Sequence, residues 1–200
     1  MESINNIILK IDEELLLFIN NLHSPFGDFI MYQFSDKLFW IPFYIFLLWL
    51  LIKKLGPKNS ILCIIILSLM VFVTDQLGSH VIRTQICRLR PSSPLNPLSH
   101  LINFVGDYRG GDFGFPSCHA ANTFALCIFV SNILKSSSIR CCLLIWAIIV
   151  SYSRLYLGVH YPTDILAGAI LGICMGYNFY LIFNALLNLK IHRFLNRYKI

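Results

Sequence analysis

Charge is what this chain has least of. Only 13% of its 200 residues are Asp, Glu, Lys or Arg, while 56% are hydrophobic, and the mean hydropathy is +0.67. Soluble domains carry about a quarter charged residues, so the composition excludes an ordinary globular protein and points to an integral membrane one. A long polar block is missing too, which predicts one membrane domain over residues 1–200 and no sizeable soluble one. The N-terminal stretch MESINNIILKIDEELLLFINNLH lacks the order of basic start, apolar centre and small-residue cleavage site that marks a removable signal, so insertion is expected to rely on internal spans. Paired cysteine spacing is absent. Cys63, Cys87, Cys118, Cys127, Cys141, Cys142 and Cys174 make an odd number and build neither a zinc site nor a redox motif. Most read as small core hydrophobes, and Cys87 with Cys118 is the one pair that shares a face and is worth testing for a disulfide. No carboxylate cluster suggests Mg2+, so no metal and no other cofactor is expected. Internal repeats and low-complexity segments are lacking as well.

What is present is a series of uncharged runs: Leu38–Ile52, Asn59–Thr74, Ala120–Leu134, Cys141–Ser153 and Ile165–Leu189. Only the last has the ~20 residues of an ideal span. The others lengthen if flanking Lys and Arg snorkel or if a charged helix end is buried in protein. Short buried helices of a soluble protein would need polar faces that these runs lack. The expected fold is all-α, a polytopic membrane helical bundle of about six helices: five spans plus an N-terminal interfacial or short helix. In that N-terminal segment Leu15, Leu16, Ile19 and Leu22 stand against Asp12, Glu13 and Asn20 at helical spacing. The stretch Phe26–Tyr32 reads as too short and interrupted for a sixth span.

Basic residues give the orientation, because positive loops stay in the cytoplasm. Lys53, Lys54 and Lys58, then Lys135 and Arg140, then Lys190, Arg193, Arg197 and Lys199 all fall on one side of a five-span layout. The C-terminus is therefore expected inside, and the second-to-third and fourth-to-fifth connections outside.

The first outer connection, HVIRTQICRLRPSS, breaks that charge rule. Arg83 and Arg90 are seven residues apart, so on a helix ended by Pro91 they point the same way. Converging guanidiniums suit a phosphate, and they equally suit anchoring to lipid headgroups. The other outer connection, SYSRLYLGVHYPTDILAG, carries Ser153, Arg154, His160 and Asp164. Pro162 and Asp164 fit the first turn of the last helix. There the carboxylate either serves the helix N-terminus or accepts the imidazole N–H of His160, fixing its tautomer and leaving the other nitrogen nucleophilic; the two roles are compatible. In GFPSCHAANTF, Ser117 reads as an N-cap, with the free N–H groups of Cys118 and His119 forming an anion site. His119 then stands where it can protonate a leaving oxygen. Asp75, deep in the second run, is an isolated acid and reads as structural or supporting, with Gln76, Ser79 or His80 as companions. Gly168, Gly172 and Gly176 recur every four residues, a ridge for close helix packing.

Taken together, these residues resemble the type-2 phosphatidate phosphatase superfamily of membrane lipid phosphatases, relatives of the vanadium haloperoxidases. The family's motifs are Lys, six residues, Arg-Pro; Pro-Ser-Gly-His; and Ser-Arg, five residues, His, three residues, Asp. Arg83 with Arg90-Pro91, Pro116-Ser117-Cys118-His119, and Ser153-Arg154 with His160 and Asp164 match them in order and spacing. Two residues depart: Arg83 replaces Lys, keeping the charge, and Cys118 replaces Gly where backbone meets phosphate. The resemblance implies metal-independent hydrolysis through a phosphohistidine. His160 attacks, Asp164 orients it and His119 protonates the leaving group, while Arg83, Arg90, Arg154, Ser117 and the backbone at Cys118 hold the phosphate. It further implies a lipid phosphate and the bilayer as partners, with no nucleic acid. Undecaprenyl diphosphate fits a small outward site best. Lipid A phosphate, phosphatidylglycerol phosphate and phosphatidate remain open, as do phosphotransfer between lipids and a non-catalytic anionic-lipid binder or transporter.

Overall fold

The structure, a computed structural model, describes residues 2–106 and 108–197, with side chains from 6 to 189. Its helices are α1 (Glu2–Asn20), α2 (Pro25–Ser35), α3 (Ile41–Leu55), α4 (Pro57–Gln76), α5 (Arg83–Ile86), α6 (Cys118–Leu134), α7 (Ser137–Tyr156) and α8 (Pro162–Arg197). A π-helical turn, Leu77–Ile82, carries α4 into α5, and a 3-10 turn, Pro97–Leu101, lies in the long connection before α6. Pro25, Pro57 and Pro162 open their helices, where a missing N–H costs nothing. Ser24, Ser117 and Ser136 cap theirs by accepting from the N–H groups of Gly27, Ala120 and Ile139. Helices stop at the positive-φ residues Gly56, Cys87 and Lys135.

α6 lies at the centre, against α7, α4 and, most closely, α8. The glycine ridge explains that closeness. A Cβ at Gly168, Gly172 or Gly176 would fall well inside contact distance of the carbonyl oxygens of Ser117, Ala121 and Ala125 respectively. Met70, Phe129, Val130 and Leu143 fill the core among these helices. The outer faces are apolar rather than polar: Ile61, Ile65, Leu69 and Phe72 on α4 and Leu166, Ile170 and Ile173 on α8 are exposed, the arrangement of a protein solvated by lipid. Four of the five uncharged runs fall wholly within a helix, and the first, Leu38–Ile52, begins in the turn just before α3. Three rods, Pro57–Ile86, Ser137–Tyr156 and Pro162–Leu189, are long and apolar enough to cross a membrane. α3 and α6, at 15 and 17 residues, are shorter.

α1 departs from the expected division of faces. Asp12, Leu16 and Asn20, spaced by four, form one inward stripe at 2%, 0% and 0% exposure, while Ile7, Ile11, Leu15, Phe18 and Leu22 face outward. Two polar side chains, Asp12 and Asn20, thus look into the protein beside Leu16, while Lys10, Glu13 and Glu14 share the outward side with most of the apolar residues. Polar groups embedded at a lipid boundary find their partners in protein. The basic residues Lys53 and Lys54 end α3, Lys58 begins α4, Lys135 follows α6 and Arg140 begins α7, so these clusters sit at the opposite helix ends from Arg83, Ser117, Arg154 and Asp164. The side chains of Lys190, Arg193 and Arg197, and the whole of Lys199, lie outside the described residues.

Candidate active site

Four helix ends and one extended segment bring the three motifs together. Arg83 starts α5, Ser117 caps α6, Arg154 sits in the last turn of α7, and His160 occupies the short connection to α8, whose first turn holds Asp164. Arg90 arrives differently from the expectation. The helix does not run on to Pro91: it ends at Ile86, with Cys87 in the left-handed region at φ 49. Leu89 then bridges antiparallel to Phe113. The N–H of Arg90 donates to the carbonyl of Asp112, and that of Gly114 to the carbonyl of Arg88, at 2.7 and 2.9 Å. Backbone groups that would have found partners in a longer helix find them across this ladder. Arg83 and Arg90 therefore converge from two elements instead of one helix face.

Arg90 is 8% exposed and almost fully committed. Its Nε donates to the carbonyl of Phe113 at 3.0 Å and its Nη1 to the carbonyl of Val159 at 3.1 Å. Nη1 also lies 3.0 Å from Nε2 of His160. A guanidinium can only donate, so Nε2 accepts and the imidazole proton belongs on Nδ1. Nδ1 in turn faces Oδ2 of Asp164 across 3.4 Å, a long contact. Of its two expected roles Asp164 performs the one at the helix start, its Oδ2 accepting the N–H of Tyr161 at 2.9 Å in the manner of a capping box, while Nδ1 of His160 is buried without a hydrogen bond. Gly114 permits this crowding. A Cβ there would stand 3.0 Å from Cγ of Arg90, 3.1 Å from Oδ2 of Asp164 and 3.4 Å from Nδ1 of His160. Burial holds the pKa of His160 well below its usual value, and the charges of Arg90, Arg154 and Arg83 push it the same way. Burial, with Arg154 and Arg83, lowers Arg90 itself to about 10.

Arg83 donates from Nη2 to the carbonyl of Pro116 and to Sγ of Cys118, each at 3.2 Å. Arg154, 1% exposed, donates to the hydroxyl of Ser35 and, at 2.8 Å, to that of Tyr108. The Nε–H groups of Arg83 and Arg154 are buried without a protein acceptor, donors of the kind an anion's oxygens satisfy. Ser117 is fully buried and its hydroxyl is used in capping. The N–H groups of Cys118 and His119 in that first turn have no helical acceptor. All seven cysteines are free, so the Cys87–Cys118 pair is not bridged. Asp75 pairs across to α6, accepting from Nδ2 of Asn122 at 3.1 Å. The companions expected within its own helix do not include that partner; Ser79 reaches only the Asp75 main-chain oxygen.

Arg83, Arg90, His119 and His160 line one end of a cavity of about 590 Å3, and from there it continues as an apolar groove past Trp40, Tyr44, Leu51, Leu126, Val130 and Trp146. Ser35, the last residue of α2, and Lys37, in the turn before α3, also line the cavity. Sequence reasoning missed both, along with Tyr108, Arg88, Asp12 and Asn20. Two signals were there: Arg88 is a third arginine in the connection that breaks the charge rule, and Asp12 is an acid within an apolar helix.

A cationic pocket opening onto an apolar groove inside a helical bundle is the layout of a membrane enzyme that hydrolyses phosphate from lipids. The family model described as the PAP2 superfamily matches residues 60–187, and the chain belongs to that superfamily. It is 44% identical to a lipid A 4'-phosphatase of Bacteroides thetaiotaomicron over 86% of this chain and 76% of that one. A second lipid A 4'-phosphatase, from Porphyromonas gingivalis, is 32% identical over 88% and 74%. The fold is shared with the crystal structure of the first transmembrane PAP2 type phosphatidylglycerolphosphate phosphatase from Bacillus subtilis, with a TM-score of 0.67 at 21% identity over 87% of this chain and 85% of that one.

Proposed function

We propose that this lipid phosphatase removes a phosphate monoester from a glycolipid of the lipid A type, through a phosphohistidine on His160, at the extracytoplasmic face. One observation supports the chemistry above the rest: Arg90 donates to Nε2 of His160 at 3.0 Å, which makes that nitrogen the unprotonated one and points its lone pair at the guanidinium cluster. When a phosphate oxygen takes over Arg90, Nε2 is freed to attack phosphorus. The Nε2–P bond forms as the P–O ester bond breaks. Arg83, Arg90, Arg154 and the N–H groups at the start of α6 hold the charge that grows on the equatorial oxygens. His119 gives its proton to the departing alkoxide, and Asp164 steadies the Nδ1–H of His160. Water then attacks phosphorus, passing its proton to His119. The N–P bond breaks, inorganic phosphate leaves, and both histidines return to their starting states.

On the substrate, the expectation of undecaprenyl diphosphate gives way. The relatives at 44% and 32% identity, each covered over about three quarters of its own length, are named for the 4'-phosphate of lipid A, which supports that substrate. Purified protein in detergent, assayed for phosphate release on lipid A, phosphatidylglycerol phosphate, phosphatidate and undecaprenyl diphosphate, should show the highest kcat/KM on lipid A. A faster reaction with undecaprenyl diphosphate overturns the choice of substrate. Rapid quenching into base should trap acid-labile phosphate on the wild type and none on His160→Asn. Full turnover without trapped phosphate would replace the covalent route by direct attack of water.

A further inference from the structure

One helix holds both ends of the connection that carries His160. α1 lies outside residues 60–187, the stretch matched by the family model. Yet its Asp12 and Asn20 are as deeply buried as the site residues themselves. They lie about two turns apart on one face. Before the connection, Nδ2 of Asn20 donates to the carbonyl of Tyr156 at 2.8 Å, while its Oδ1 accepts the N–H of Asn103 at 2.8 Å. After it, Oδ1 of Asp12 accepts the N–H of Thr163 at 2.9 Å, and Oδ2 accepts from the Thr163 hydroxyl and, at 2.5 Å, from Nη2 of Arg88. The other nitrogen of Arg88, Nη1, donates to Oδ1 of Asp164 at 3.0 Å. The same guanidinium lies 4.0 Å over the ring of Tyr161. The two oxygens of Asp164 are thereby divided. Oδ1 belongs to Arg88, and Oδ2 is left for Tyr161 and His160.

We infer that Asp12 and Arg88 are positioning residues: Asp12 fixes Arg88, Arg88 fixes the rotation of the Asp164 carboxylate, and that rotation sets the imidazole of His160 against the substrate phosphate. The inference rests on the reading of His160 as nucleophile. Its physical basis is the long gap between Nδ1 of His160 and Oδ2 of Asp164, 3.4 Å. At that distance a slight turn of the carboxylate decides whether the hydrogen bond forms, and misplacement of a reacting group by a fraction of an ångström lowers its rate. Arg88 suits the task because a planar fork can engage two carboxylates at once, which an ammonium cannot do in the same geometry.

The test is kinetic. Asp12→Asn keeps the size and the acceptor for Thr163 but turns an N–H2 or a neutral oxygen toward Arg88. Its kcat should fall about ten- to a hundredfold, the range for partners that orient a reacting ligand, with KM nearly unchanged. Arg88→Lys should give a similar loss. In an Asp164→Asn background, adding Asp12→Asn should cost little more, because the path to His160 is already cut. Lys10→Ala, on the exposed side of the same helix, should leave kcat as it was. Unchanged kcat in Asp12→Asn and Arg88→Lys overturns the inference, and so do losses that multiply with Asp164→Asn, which would mean a packing role. If Asp12→Asn yields no folded protein, Arg88→Lys carries the decision alone. An active His160→Asn would remove the mechanism on which this rests. An inactive His160→Asn beside a fully active Asp12→Asn removes only the role of α1.

Discussion

His160 must be neutral at Nε2 to attack phosphorus, and its surroundings favour that form. Asp164 faces its Nδ1; Arg90, Arg83 and His119 line the cavity with it, and the charge of buried Arg154 is close by. Burial first, then the three arginines, hold its pKa well below the ordinary 6.5. The sign follows directly. A base with a depressed pKa stays unprotonated down to lower pH, so the acid limb of kcat/KM set by this group should lie well below 6.5 rather than at it. Removing Arg90 takes away the largest charge in that list. Arg90→Ala should therefore move the limb upward, besides costing a few kcal/mol of transition-state stabilisation on the scale of a lost oxyanion donor. Arg83→Lys, which restores the family residue and keeps the charge, should move the limb far less. A pH profile for the wild type, Arg90→Ala and Arg83→Lys decides the point; an upward shift in Arg83→Lys equal to that in Arg90→Ala would mean that charge alone is not the cause.

Elements transmit position, and the contact of α6 with α8 is where that shows. α6 begins beside His119 and α8 begins beside Asp164, and the N–H of Ser117 donates to the carbonyl of Asp164 at 2.9 Å. The glycine ridge sets the spacing below this link. Gly168→Ala and Gly176→Ala each place a Cβ against a carbonyl of α6, and overpacking of this kind costs about 1–3 kcal/mol. Their melting temperatures should fall alike, but Gly168 opposes Ser117 itself, so kcat should fall much more in Gly168→Ala than in Gly176→Ala. Equal kcat losses would show that the ridge serves stability alone. The ridge, the capping serines and the motif residues were legible from spacing. The approach of Arg90 was not, because the turn at Cys87 and the pairing of Leu89 with Phe113 arise from contacts across more than twenty residues that no local period records. The inward face of α1 was illegible for another reason. Helical period separates Asp12, Leu16 and Asn20 from the other side, but at a lipid boundary it does not say which side meets protein.

The whole molecule is electrically divided along its length. Lys53, Lys54, Lys58, Lys135 and Arg140 gather at one set of helix ends. At the other end Arg109 and Lys37 are exposed, but Arg90 and Arg154 are buried, Arg88 meets Asp12 and Asp164, and Arg154 meets Ser35 and Tyr108. Orientation depends on positive charges exposed in short loops, so the second group weighs less than a count of residues suggests. This supports the proposal that the Lys-rich end is cytoplasmic and the cavity mouth extracytoplasmic. Gly111, exposed in the connection before α6 with open space around it, and Ser137, at the start of α7, mark the two ends. Cys87, Cys141, Cys142 and Cys174 are exposed and Cys118 partly so, which makes a background with these five replaced by alanine the right one for labelling. In intact cells a membrane-impermeant maleimide should label Gly111→Cys at once and Ser137→Cys only after the membrane is opened. The reverse pattern would put the site in the cytoplasm, and the substrate would then have to be dephosphorylated before it crosses the membrane.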